Sequence, residues 1–122
     1  GSCSFGDTAL TVLAAVIHAS DGKLVVDAGG IAMSKDRGPV GLDPSCGYGR
    51  ILDLNGIDTG MRLTSLSQEH GVIENNENLS FKVGDRVRIL ANHSCMTAAQ
   101  HTHYNVLDNG EIVDRWQIHT GW

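Results

Sequence analysis

An all-β fold, a single antiparallel barrel or sandwich-like domain of about seven or eight short strands, is predicted by three observations. Short apolar runs rich in β-branched residues recur between turn clusters, and a helical period is hard to find. The last third of the chain also carries a hairpin signature, with His103 to Leu107 and Glu111 to Trp116 flanking Asp108-Asn109-Gly110. Asn-Gly supplies the positive φ values that such a turn requires.

The other elements follow in order. Thr11 to Ile17 and Leu24 to Ala28, separated by Ser20-Asp21-Gly22 and closed by Gly29-Gly30, read as a first hairpin. Ser34 to Gly49 is crowded with glycine and proline and reads as a long loop. Arg50 to Leu54 is a short strand before Asn55-Gly56, and Met61 to Ser67 and Gly71 to Glu74 follow, with a polar loop from Asn75 to Ser80. After the Gly84-Asp85 turn, Val87, Ile89 and Ala91 alternate with Arg86, Arg88 and Leu90, the period of a half-buried strand. There is no internal repeat and no low-complexity segment.

A chain of 122 residues corresponds to one domain, which at this size buries roughly two-thirds of its unfolded surface. Gly1-Ser2 reads as a tag scar, leaving residues 3–122 as that domain. Nine basic against fourteen acidic residues, with no run of Lys or Arg, argue against a nucleic-acid partner. The apolar stretch Ala9 to Ile17 lacks a basic leader and is too short to span a bilayer, so it reads as a core segment and no membrane association is expected. Three widely spaced cysteines do not suggest a disulfide framework, and a reducing cytoplasm is the expected location.

The chemistry concentrates where the Arg86–Ala91 run meets Asn92-His93-Ser94-Cys95. If the strand continues, His93 and Cys95 point to one face and place an imidazole beside a thiol, the beginning of a soft-metal site. A structural zinc takes four protein ligands, and Cys3 and Cys46 stand in no Cys-x2-Cys or His-x3-His spacing, so a metal here would occupy an open site. The ordinary alternative is a buried thiol and a hydrogen-bonded histidine. His101 and His103 form a rival pair on a second predicted strand, with no third ligand nearby in sequence. Gly47-Tyr48-Gly49 lacks the Lys-Ser/Thr of a phosphate loop and reads as a glycine-rich turn with Tyr48 packed. Trp116 and Trp122 are expected to bury against the barrel, or the terminal one to meet a partner domain.

Seven segments in register carry a resemblance: Leu10-Thr11-Val12-Leu13-Ala14, Val26-Asp27-Ala28-Gly29, Ser34-Lys35-Asp36-Arg37-Gly38, Ser67-Gln68-Glu69-His70-Gly71, Val83-Gly84-Asp85-Arg86-Val87, Asn92-His93-Ser94-Cys95 and Val113-Asp114-Arg115-Trp116. Their order and spacing resemble the C-terminal β domain of the D-serine dehydratase and D-threonine aldolase family, the metal-activated pyridoxal-phosphate enzymes. Where many members carry Lys two residues after Asp-Ala-Gly, this chain has Ile31.

The resemblance implies a domain that packs against a pyridoxal-phosphate-binding (β/α)8 barrel, absent here, in an enzyme that could be a homodimer at full length. It carries the family's metal ligands onto His93 and Cys95, with Glu69 and His70 as supporting residues of the metal or of a domain contact. None of Lys23, Lys35 or Lys82 resembles the family's Schiff-base lysine, so the fragment alone would contain no catalytic residue and be inactive. In the family, His-x-Cys resembles the zinc dehydratases and His-x-Asp the aldolases that use harder ions, consistent with thiolate favouring zinc. The function implied is zinc-assisted dehydration and deamination of D-serine or a related D-3-hydroxy amino acid, the cofactor acting as electron sink. Retro-aldol cleavage of the D-threonine aldolase type and a non-catalytic metal-binding or subunit-association module are the alternatives.

Overall fold

The structure, a computed structural model, describes residues 4–76 and 79–121; Cys3 and Trp122 lie outside them. Eight strands are present among these residues: β1 (Val12–Ser20), β2 (Lys23–Val26), β3 (Gly49–Leu52), β4 (Asp58–Leu66), β5 (Gly71–Glu74), β6 (Arg86–Ala91), β7 (His103–Asp108) and β8 (Glu111–Gln117). The first six close into an antiparallel barrel in the order β1-β2-β5-β4-β3-β6, and β7 and β8 form a separate two-stranded ribbon. The predicted all-β fold is therefore present, with one correction: the last two strands lie outside the barrel.

Period-two alternation builds the barrel interior. Val12, Ala14 and Val16 of β1 point inward with Leu24 and Val26, Ile51, Met61 and Leu63, Ile73, and Val87 and Ile89 from the other strands. Their intervening neighbours face out, as successive Cβ atoms in a strand must. The apolar run from Ala9 to Ile17 is thus core only at alternate positions, because Leu13 and Ile17 point to solvent. Register shifts between Val16 and His18, Arg50 and Leu52, and Leu63 and Ser65 interrupt three ladders. Such bulges increase local twist and bend, which is what a small barrel needs to close.

Two helical turns escape the sequence pattern, α1 (Gly30–Met33) and α2 (Ser94–Ala98), besides a 3-10 turn at Phe5–Asp7. Both are too short to show a period of 3.6 residues. Around the ribbon the expectation for Trp116 fails: its side chain is 56% exposed, and every residue of β8 is exposed. The indole finds its hydrogen bond within the ribbon, Nε1 donating to Asp114 Oδ2 at 2.9 Å, so no barrel contact is required to satisfy it. No helix among the described residues is long and apolar enough to cross a membrane.

Candidate metal centre

The strand registers bring four of the seven motif segments to one end of the barrel. Val26 pairs with Gly71, Gly71 with Leu66, and Gly49 with Ala91. The exits of β2, β4 and β6 and the entries of β3 and β5 therefore lie together. From this end emerge Asp27–Gly38, the Ser67–His70 turn and Asn92–Cys95, three stretches far apart in sequence.

Close backbone approach holds them. Gly30 N–H donates to the Ser67 carbonyl at 2.9 Å and Ile31 N–H to that of Gln68 at 3.1 Å. A Cβ on Gly29 would overlap the backbone of Gln68, Glu69 and His70, so the Asp-Ala-Gly segment needs glycine for this contact. On the neighbouring side α2 docks on α1: buried Thr97 Oγ1 donates to the Met33 carbonyl at 2.8 Å, and His101 Nε2 to the Ala32 carbonyl at 2.9 Å. These carbonyls end a helix of one turn and have no partner further along it.

His93 and Cys95 lie at this end, but not on a shared strand face as the sequence suggested. β6 stops at Ala91, His93 has extended backbone angles as the residue before α2, and Cys95 is the second residue of that turn. Asn92 diverts the chain, because its Nδ2 donates to the carbonyls of Asp36 and Gly47 at 3.1 and 2.9 Å and ties the end of β6 to the long loop. Met96, Ala98 and Ala99 then favour a helical turn. Both candidate ligands are exposed, and Cys95 is a free thiol.

The imidazole is not free to rotate. His93 Nδ1 lies 2.9 Å from Asp36 Oδ2, a partner 57 residues away that spacing could not reveal. The Gly38 N–H on Asp36 Oδ1, and after it the His93 hydrogen bond, hold the Asp36 carboxyl below the ordinary carboxylate range. The pair is half-exposed, with side-chain exposures of 44% and 32%, so its value is orientation more than stability.

The remaining candidates separate from this pair. His101 is engaged with Ala32 and precedes β7, whereas His103 Nδ1 contacts Thr102 Oγ1 and Arg115 Nη2, so the two histidines are not a strand-face pair. Glu69 and His70 occupy the exposed β4–β5 turn, where Ser67 N–H donates to the His70 carbonyl at 2.9 Å. Tyr48 is half-buried against the core, with the Arg37 guanidinium 5.8 Å from its ring centroid, and Gly47-Tyr48-Gly49 is the turn entering β3. Among the described residues no three His, Cys, Asp or Glu side chains are grouped to hold a metal ion. Within the Asn92–Cys95 segment the exposed donor side chains are the His93 imidazole and the Cys95 thiol. That set suits a borderline-soft divalent cation with coordination positions left open.

Fold and site together define a small β-barrel domain that carries an exposed histidine and an exposed free thiol two residues apart among loops at one barrel end. The chain belongs to the serine dehydratase-like domain family, whose description, "Putative serine dehydratase domain", matches residues 9–107. It is 41% identical to the D-threo-3-hydroxyaspartate dehydratase of Delftia sp. (strain HT23), an alignment covering 100% of this chain and 35% of that enzyme. It is 32% identical to the D-serine dehydratase of Dictyostelium discoideum, covering 100% of this chain and 33% of that protein. The chain thus spans about a third of the length of these curated relatives.

The solved structure of the Delftia dehydratase superimposes with a TM-score of 0.88 over 100% of this chain and 35% of that one. An alanine racemase-like protein from Idiomarina loihiensis, 39% identical, gives 0.90 over 100% of this chain and 34% of its own. The Delftia enzyme has also been solved with a cysteine replaced by alanine, in a metal-free form, and with a histidine replaced by alanine; those two positions are two residues apart.

Proposed function

We propose that this chain is the metal-bearing β domain of a pyridoxal-phosphate-dependent lyase acting on D-3-hydroxy amino acids, with zinc held by His93 and Cys95. The observation that carries the reading is that an imidazole held by Asp36 and an exposed free thiol stand two residues apart at the barrel end where four of the motif segments meet. The two-residue spacing of the histidine and cysteine replaced in the Delftia dehydratase matches that of His93 and Cys95 and supports it.

Held by His93 and Cys95, a divalent cation would supply Lewis-acid stabilisation of a leaving hydroxyl oxygen. The chain's own residues would do the rest of the local work. His93 and Cys95 would hold the cation and Asp36 would orient the imidazole, with Glu69 and His70, on the exposed turn tied to Gly30 and Ile31, as the proposed supporting residues. Dehydration is favoured over retro-aldol cleavage because a thiolate ligand suits zinc and the relatives named above are dehydratases.

The described residues do not form a pyridoxal-phosphate site. Lys23, Lys35 and Lys82 are exposed, and the surface clefts lined by Leu79 and Phe81 contain no lysine. The cofactor would be bound by a separate barrel domain of a longer protein, in which this chain completes the site, and a homodimer of that protein fits the same reading. The chain alone is expected to release no ammonia from D-serine in the presence of cofactor and zinc.

Calorimetric titration of zinc into wild type, His93→Ala and Cys95→Ala tests the ligand reading. One site in wild type, weakened at least about tenfold in both variants, is expected. Binding that neither substitution alters would refute it.

A further inference from the structure

We propose that Asp36 is a positioning residue for the metal-binding imidazole: its carboxylate keeps the proton on Nδ1 of His93 and leaves Nε2 as the lone-pair donor. The inference rests on the reading of His93 as a metal ligand.

Three features of the structure carry it. First, a carboxylate only accepts, so the 2.9 Å contact between Asp36 Oδ2 and His93 Nδ1 requires the hydrogen on Nδ1. A neutral imidazole holds one such hydrogen, and Nε2 is then the available ligand atom. Second, Asp36 is itself fixed: its Oδ1 accepts the Gly38 N–H at 2.6 Å, and Gly38 has φ +63°, with a Cβ there falling only 3.0 Å from Asn92 Cγ. Third, Asn92, the neighbour of His93, donates to the Asp36 carbonyl. The loop bearing the carboxylate and the segment bearing the imidazole are therefore joined twice, once by backbone recognition and once by the pair itself.

The arrangement makes an isosteric variant informative. In Asp36→Asn the oxygen stays where Gly38 N–H demands an acceptor, so the amide NH2 faces His93. Two donors cannot share that contact, and the imidazole proton moves to Nε2, the atom needed for metal.

The test uses the 122-residue chain free of metal at mildly alkaline pH. Long-range proton–nitrogen correlation, with His93→Ala for assignment, is expected to show the Nδ1–H tautomer in wild type and Nε2–H in Asp36→Asn. Zinc titration should show affinity lowered about 10- to 100-fold in Asp36→Asn at an unchanged melting temperature. A wild-type His93 that is mainly Nε2–H overturns the proposal without any variant. So does equal zinc affinity in wild type and Asp36→Asn. A wild type that shows the expected tautomer but takes up no zinc overturns the ligand reading, and with it the metal role of Asp36, while upholding the pairing itself.

Discussion

Thr97 Oγ1 donates to the Met33 carbonyl at 2.8 Å, and this buried bond joins the two helical turns that frame the candidate metal centre. Thr97→Val retains the shape and strands the carbonyl without its donor. The expected loss is about 1–3 kcal/mol, read as a lowered denaturant midpoint with an unchanged slope. An unaltered midpoint would show that water replaces the hydroxyl and that the two turns dock by packing.

Ser34, which follows α1, has φ 62° and ψ 174°, and its buried Oγ has no hydrogen-bond partner among the described residues. Both features cost free energy, and glycine removes both. Ser34→Gly is expected to hold or raise the melting temperature, against the usual direction for a buried position. A clear fall would mean that the serine hydroxyl has a partner in solution.

Leu63 of β4 and Ile73 of β5 are partners in register and fully buried. Leu63→Ala should cost about 2–5 kcal/mol in urea unfolding, the range for a core cavity. Trp116→Ala should change stability by less than about 0.5 kcal/mol, because the indole lies on the exposed ribbon. A Trp116 effect as large as that of Leu63 would place the ribbon against the barrel.

Partial burial acts to raise the Asp58 carboxyl, but the Gly60 N–H, Arg50 and Arg62 together outweigh it and leave it below the ordinary 3.8. A depressed folded-state value stabilises the protein at pH above the unfolded value, and the contribution is lost as pH falls through the folded one. Asp58→Asn should therefore be less stable than wild type near neutrality, with the gap closing in acid below pH 3.8. A gap independent of pH would assign the effect of the substitution to shape alone.

Strand positions were legible because alternation survives in β6, where Val87 and Ile89 are buried between Arg86, Arg88 and Leu90. The Asn109-Gly110 turn was equally plain, with both residues at positive φ. What periodicity could not convey was closure: nothing local distinguishes β7 and β8 from barrel strands, since membership depends on which edges pair across the fold. The same limit explains the site. His93 and Cys95 stand two apart and could be read, though the helical turn that carries Cys95 was missed, whereas Asp36 meets His93 only through the path of a glycine-rich loop. Motif order had already marked Ser34–Gly38 as part of the pattern, but gave it no role.

The four motif segments that meet at one end of the barrel leave the opposite rim, where Val83–Asp85 leads into β6, without assigned chemistry. The Asp21-Gly22 turn, the Asp53–Ile57 loop and the segment around Leu79 and Phe81 lie there, tied to neighbouring strands but to none of the candidate ligands. Insertions, affinity handles or fluorescent labels at Asn55-Gly56 are expected to leave the candidate centre at His93 and Cys95 undisturbed, which makes the silent rim the practical place from which to watch the other one.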